Sequence, residues 1–157
     1  MYTRFDSPEF CKLIKTFHNV FYKYYQIVKQ PKNFGTGEQL HHAEIHTIVA
    51  IGENPEINIT ELARETAVSK GAVSQTVQKL EEKQLIARYK GKDDREVHLR
   101  LSDKGVIAFE GYNKLVESHF RNYEEMFKRS NETERNIVFK VVEAINNQFD
   151  EYLLNNN

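Results

Sequence analysis

The sequence predicts a mainly α protein with a small β-wing: a winged helix-turn-helix flanked by long N- and C-terminal dimerisation helices. Three observations carry this. Two short helical segments, opening at Asn58 and at Ser69, are separated by only Ala67, Val68 and Ser69, a connection short enough for a helix-turn-helix. After Leu85 the apolar period drops from that of a helix to the alternation of a strand. Aromatic residues recur at helical spacing over long stretches near both ends of the chain.

In chain order, Ser7-Pro8 reads as an N-cap followed by proline at the first helical position. Phe10, Leu13, Phe17, Val20, Phe21, Tyr24 and Val28 then hold helical spacing until Pro31, a helix of ~24 residues and ~36 Å. PKNFGTG (31–37) reads as a loop. A second helix is predicted from Leu40 to Ile51, with Gly52 as its stop and Asn54-Pro55 sealing it. Asn58 with Glu61 has the spacing of a capping box and opens a short helix to about Thr66. Ser69 caps the next, whose Val73, Val77 and Leu80 mark one face.

Val97, Leu99 and Leu101 alternate with Glu96, His98 and Arg100, the pattern of a half-buried strand. Residues 86–90 pair with it across the charged turn GKDD (91–94). Ser102 caps a long helix carrying Val106, Phe109, Tyr112, Val116, Phe120, Tyr123 and Phe127. Asn131 with Glu134 opens the last helix, which carries Val138, Val141, Ile145, Phe149 and Tyr152. The expected division is 1–37 for the N-terminal dimerisation helix and loop, 38–102 for the winged helix-turn-helix, and 103–157 for the C-terminal dimerisation helices.

Composition narrows the function. The 157 residues are 39% hydrophobic and 29% charged, in the range of a soluble folded protein. No apolar run suits a signal peptide or a membrane span, so a cytoplasmic location without membrane contact is expected. Cys11, the single cysteine, excludes an intramolecular disulfide and a multi-cysteine metal cluster. Net charge is −1, yet residues 69–104 hold nine Lys or Arg against six Asp or Glu, a surplus of three, so the remainder sums to −4. A basic region on an acidic body directs polyanions to one side.

The outer face of the helix after Ser69 points to double-stranded DNA. It offers Lys70, Gly71, Ser74, Gln75, Gln78 and Lys79, with no acid before Glu81. A helix entering the major groove needs small residues for close approach and amide or hydroxyl groups for base edges. Gln pairs with adenine, while Lys70 and Lys79 suit phosphate; Thr76, on the flank, serves a phosphate as well. The wing adds Lys90, Lys92 and Arg95, and an arginine on such a turn reaches the adjacent minor groove. Asp93, Asp94 and Glu96 count against this unless one of them orients Arg95.

Residues 58–105 resemble the winged helix-turn-helix of MarR-type transcriptional regulators. The wing signature is matched by Asp93 and Arg95, then by Leu101-Ser102 and Lys104-Gly105. The resemblance implies a homodimer built from the terminal helices, with the segment from Ser69 to Lys79 in the major groove and Arg95 in the minor groove. Two departures stand out. Ala67 replaces a common turn glycine, which implies strain at the turn, and Asp94 adds a negative charge to the wing.

The aromatic faces themselves favour pairing. Phe10, Phe17, Phe127, Phe149 and Tyr152, with Phe21, Tyr24, Phe120 and Tyr123, exceed what a small winged-helix core covers. A two-fold dimer sets two recognition helices about 34 Å apart on a roughly palindromic site. The expected function is a ligand-responsive repressor.

The sensor is less legible. Tyr22, Tyr25, Phe34, His42 and His46 are candidates to line a cleft for a small aromatic ligand, the mode the resemblance implies. His42 and His46 share a helix face at a spacing that holds Zn²⁺, with His119 as a further candidate. Histidines near a helix start more often pack or face water, so no metal is assigned. Cys11 suits peroxide sensing by resemblance, although a lone helix cysteine is usually packing. No cofactor is expected. Metal sensing, peroxide sensing and a winged-helix protein-interaction module without DNA binding are the alternatives. An enzyme is not expected, because no phosphate loop or partnered nucleophile is present in the sequence.

Overall fold

The computed structural model describes residues 6–91 and 96–155. Its elements are α1 (Pro8–Val28), α2 (His42–Glu53), α3 (Ile59–Glu65), α4 (Lys70–Glu82), β1 (Ile86–Lys90), β2 (Val97–Leu101), α5 (Asp103–Arg129) and α6 (Glu132–Asn155). They form two compact units, one ending at Lys114 and the other beginning at Leu115. No helix among the described residues is long and apolar enough to cross a membrane.

In the first unit, α2, α3, α4 and the β1–β2 hairpin enclose one core. Leu40, Ile48, Leu62, Val77, Leu80, Leu85 and Leu99 are fully buried there. The hairpin is antiparallel, pairing Ile86 with Leu101 and Lys90 with Val97. Its alternation places Leu99 inside while Arg100 faces out. Leu99 N–H donates to the Ile57 carbonyl (2.9 Å), tying β2 to the segment before α3. Together the three helices and the hairpin are a winged helix-turn-helix.

The caps explain the short helices. Asn58 Oδ1 accepts from Thr60 N–H and Glu61 N–H (2.9 and 3.0 Å) while Glu61 returns a bond to Asn58 N–H (3.0 Å). Ser69 Oγ accepts from Ala72 N–H (3.3 Å). Both α3 and α4 end in Schellman motifs. Val68 N–H reaches the Ala63 carbonyl (3.1 Å) and Leu85 N–H the Leu80 carbonyl (2.9 Å). Each motif forces a left-handed residue, Ala67 at φ 52° and Gln84 at φ 59°. The missing turn glycine therefore leaves a strained alanine in its place.

The second helix differs from expectation at both ends. Leu40 is not helical, because its N–H and C=O both pair with Lys32 (3.0 Å each). His41 becomes the cap, and Glu44 accepts from its N–H (2.8 Å). Gly52 does not stop the helix; it lies within α2, which ends at Glu53. A Cβ at Gly52 would sit 2.8 Å from the Phe109 ring, so this glycine serves packing against α5. Gly105 serves a closer approach still, since a Cβ there would sit 2.0 Å from the Leu85 carbonyl oxygen. α1 is three residues shorter than its pattern suggests, ending at Val28.

In the second unit, α6 opens on the Asn131–Glu134 capping box (2.9 and 3.0 Å). Phe127 packs edge-on against Phe139 with centroids 5.8 Å apart. No residue of α1 or α6 is buried. Phe10, Phe127, Phe149 and Tyr152 are exposed, and Phe17 is half-buried.

Strain at the Schellman positions yields a direct test. We expect Ala67→Gly and Gln84→Gly each to raise stability by about 0.5–1 kcal/mol. Gly105→Ala should lower it by about 3 kcal/mol through overpacking. Urea unfolding of the three variants measures these effects.

Candidate nucleic-acid interface

The recognition surface begins with how α4 is held. Val73, Val77 and Leu80 are buried on one side. Opposite them Gly71, Gln75, Gln78 and Glu82 form an exposed stripe, flanked by exposed Lys70 and Lys79 and half-buried Ser74. A Cβ on Gly71 would meet nothing within 4 Å, so nothing in the chain's own packing calls for a glycine there. The first turn of α4 holds no acidic residue. Its N-terminal dipole therefore adds to the charge of Lys70.

Thr76 points elsewhere. Its hydroxyl donates to the Ala72 carbonyl (3.1 Å), and the residue lines a cavity. In this arrangement its hydrogen is held within the helix.

The C-terminal end of α4 is fastened by charge. Lys83 Nζ pairs with Glu44 Oε1 (2.6 Å) and donates to the Gln39 carbonyl (3.0 Å). Glu44 is buried, and a buried carboxylate is tolerated only when paired and hydrogen-bonded. Lys104 extends the network, donating to the Lys83 carbonyl (3.1 Å) and pairing with Glu38 (2.9 Å). Its ammonium holds the Glu38 carboxyl below the usual glutamate value. These contacts couple the end of α4 to the starts of α2 and α5.

The wing is anchored at its base. The Tyr89 and His98 rings lie 5.7 Å apart, and Arg100 sits 5.5 Å over Tyr89. His98 Nδ1 hydrogen-bonds the Glu56 carbonyl. Gly91 has room for no side chain, because a Cβ would come within 2.8 Å of the His98 ring. Lys90 is exposed at the end of β1. Lys92 and Arg95, with Asp93 and Asp94, lie outside the described residues. The structure adds one residue the sequence pattern did not single out: Arg88 on β1, whose Nε pairs with Glu81 of α4 (2.9 Å).

A cavity of about 430 Å³ lies between α2 and the helix-turn-helix. His42, His46, Thr47 and Glu53 line it from α2, with Glu65, Thr66 and Val68 from the turn and Val73 and Thr76 from α4. Of the five proposed ligand residues, His42 and His46 meet there. Phe34, Tyr22 and Tyr25 are not in this lining: Phe34 is buried in the core, and Tyr22 and Tyr25 stand exposed on α1.

His42 and His46 have ring centroids 4.1 Å apart, and His46 meets Tyr112 edge-on at 5.7 Å. Burial pushes the His46 pKa down, and the neighbouring His42 adds to that shift. Burial raises the Tyr112 phenol, with smaller contributions from Tyr24 and Glu53. Among the described residues no group of three or more His, Cys, Asp or Glu is placed to hold a metal. His119 belongs to the second unit.

With this geometry in place, comparison with known proteins is informative. Residues 40–97 match the sequence profile of the MarR family. The chain is 25% identical over 126 residues to the HTH-type transcriptional regulator SarZ of Staphylococcus haemolyticus, covering 80% of this chain and 83% of that protein. Its fold is similar to that of Lactococcus lactis ZitR in complex with DNA, with TM-score 0.73, 19% identity, and 92% of this chain and 99% of that one covered. Streptococcus pneumoniae FabT in complex with DNA matches at TM-score 0.69 and 24% identity, with the same coverage. Another ZitR structure, described as a zinc-responsive MarR family member, covers 88% of this chain and 97% of its own at TM-score 0.69 and 16% identity.

The shifted histidine has a measurable consequence. A His whose folded pKa is depressed binds fewer protons folded than unfolded, so its contribution is intact above the ordinary value of about 6.5 and is lost as pH falls through it. We expect the melting temperature to fall on acidification from pH 7.5 to 5.5, and less steeply in His46→Gln.

Proposed function

We propose that this chain, whose residues 40–97 match the MarR family profile, is a sequence-specific, DNA-binding transcriptional regulator of that family, acting as a homodimer on a pseudo-palindromic operator. The single observation that carries the proposal is the α4 stripe. Three buried apolar residues lock the helix, and the side turned outward holds a glycine that no internal contact requires beside Gln75 and Gln78. Gly71 gives a duplex close access. Ser74, Gln75 and Gln78 offer base-edge partners, and Ser69, Lys70 and Lys79 suit phosphates. Lys90, Lys92 and Arg95 extend the contact along the wing.

Pairing is supported by the helices that bury nothing in one chain. Large apolar residues left exposed at helical spacing along each of these helices fit an interaction site. The proposed interface takes Phe10, Phe17, Phe127, Phe149 and Tyr152, in a division of labour where 1–37 and 103–157 dimerise and 38–102 reads DNA. The partner copy then fixes the spacing of two recognition helices at about one DNA turn.

The cavity supports ligand response. A small aromatic molecule there would touch His42 and His46 on α2 and Val73 and Thr76 on α4 at once. Binding that favours a mismatched helix spacing by a few kcal/mol releases DNA, the response expected of a ligand-released repressor.

Duplex binding measured by fluorescence anisotropy across salt concentrations tests the proposal. We expect affinity to fall steeply with salt. Gln75→Ala should cost about 1–3 kcal/mol on a selected site and relax its sequence preference. Salt-independent or absent binding would instead favour a protein-interaction module.

A further inference from the structure

Glu82 is a carboxylate on the exposed stripe of α4, one turn beyond Gln78. On a helix facing DNA a carboxylate repels phosphate and lowers sequence-independent affinity. Its contact gives it a different use. Gln78 Nε2 donates to Glu82 Oε1 at 3.1 Å. An ionised carboxylate only accepts hydrogen bonds, whereas an amide has one donating and one accepting end. The pairing therefore fixes which end of the Gln78 amide turns toward Glu82. One of the two N–H groups is engaged, and the Oε1 oxygen is turned away from Glu82 to accept.

Resting on the reading of α4 as the recognition helix, we propose that Glu82 is a positioning residue that sets the base specificity of Gln78. With Oε1 presented, Gln78 selects a base that donates into the major groove: adenine through its N6 amino group or cytosine through N4. Guanine and thymine present acceptors at the corresponding positions, O6 and O4. A free glutamine rotates its amide and accepts from one class or donates to the other. A glutamine held by Glu82 loses that rotation and keeps Oε1 foremost, with one N–H left beside it.

Selection of duplexes from a random-sequence library by the full chain, followed by sequencing, tests this for wild type, Glu82→Gln and Gln78→Ala. The wild-type motif should contain a position in each half-site preferring adenine or cytosine by about tenfold. Gln78→Ala should erase that preference. Glu82→Gln should reduce it to about twofold, because a second amide accepts or donates and no longer fixes the first. Removing the charge also raises affinity for all duplexes, but the ratio between bases at one position is unaffected by such a uniform change. The side chain of Glu82 is exposed, and thermal melts of both variants should match wild type.

Full retention of the preference in Glu82→Gln would overturn the positioning role. A motif unchanged by Gln78→Ala would overturn the proposal at its base contact. A wild-type chain that enriches no motif would overturn the recognition-helix reading itself, and this inference with it.

Discussion

The anchoring of one side of α4 governs the rest of the structure. Val73, Val77 and Leu80 are each at most 3% exposed, and burying a side chain of this size stabilises by about 1.5–3 kcal/mol. That stripe fixes the rotation of the helix about its axis. A rotation of one residue, about 100°, would carry Gln75 off the outer face. The ends are fixed separately, by the Ser69 cap at the start and by Lys83 on Glu44 beyond the last turn. Helix position, rotation and pitch are thus settled within the first unit, and the polar stripe is a consequence of them.

The winged helix-turn-helix and the terminal helices differ in how they satisfy their apolar residues. The winged helix-turn-helix buries its aliphatic side chains internally. α1 and α6 carry aromatic and aliphatic residues at helical spacing and bury none. Helices with such faces gain most of their stability from packing rather than from propensity. A second copy is the proposed source of that packing, which would link folding of the terminal helices to assembly. The Lys83–Lys104–Glu38–Glu44 network would pass a change at the start of α5 to the end of α4, because each group is bonded across element boundaries.

Local signals made much of this fold legible. The Asn58 and Asn131 capping boxes and the strand at 97–101 are set by residues a few positions apart, and the structure carries all three, although Val97 at the strand's start is exposed. The strained turn at Ala67 was likewise visible as a missing glycine. The role of Gly52 is not legible locally, because its cause, Phe109, lies far along the chain and a glycine looks the same whether it ends a helix or admits a ring. The apolar period puts Leu40 in a helix, because its pairing with Lys32 leaves no mark in that period.

In the site, the outer stripe of α4 follows from helical spacing alone, whereas the Thr76 hydroxyl bond to the Ala72 carbonyl leaves no mark in that spacing. His42 and His46 share a helix face, whereas the cavity they line also needs α4, which no spacing rule supplies. Arg88 and Glu82 escaped notice for the same reason, because their roles lie in partners rather than in pattern. The central claim is that the outward side of α4 is where this protein meets a duplex. Titrating the isotopically labelled chain with duplex DNA and following amide signals by NMR tests it most directly. The largest shifts are expected at residues 69–79 and around Lys90. Shifts confined to α1 and α6, with α4 silent, would contradict it.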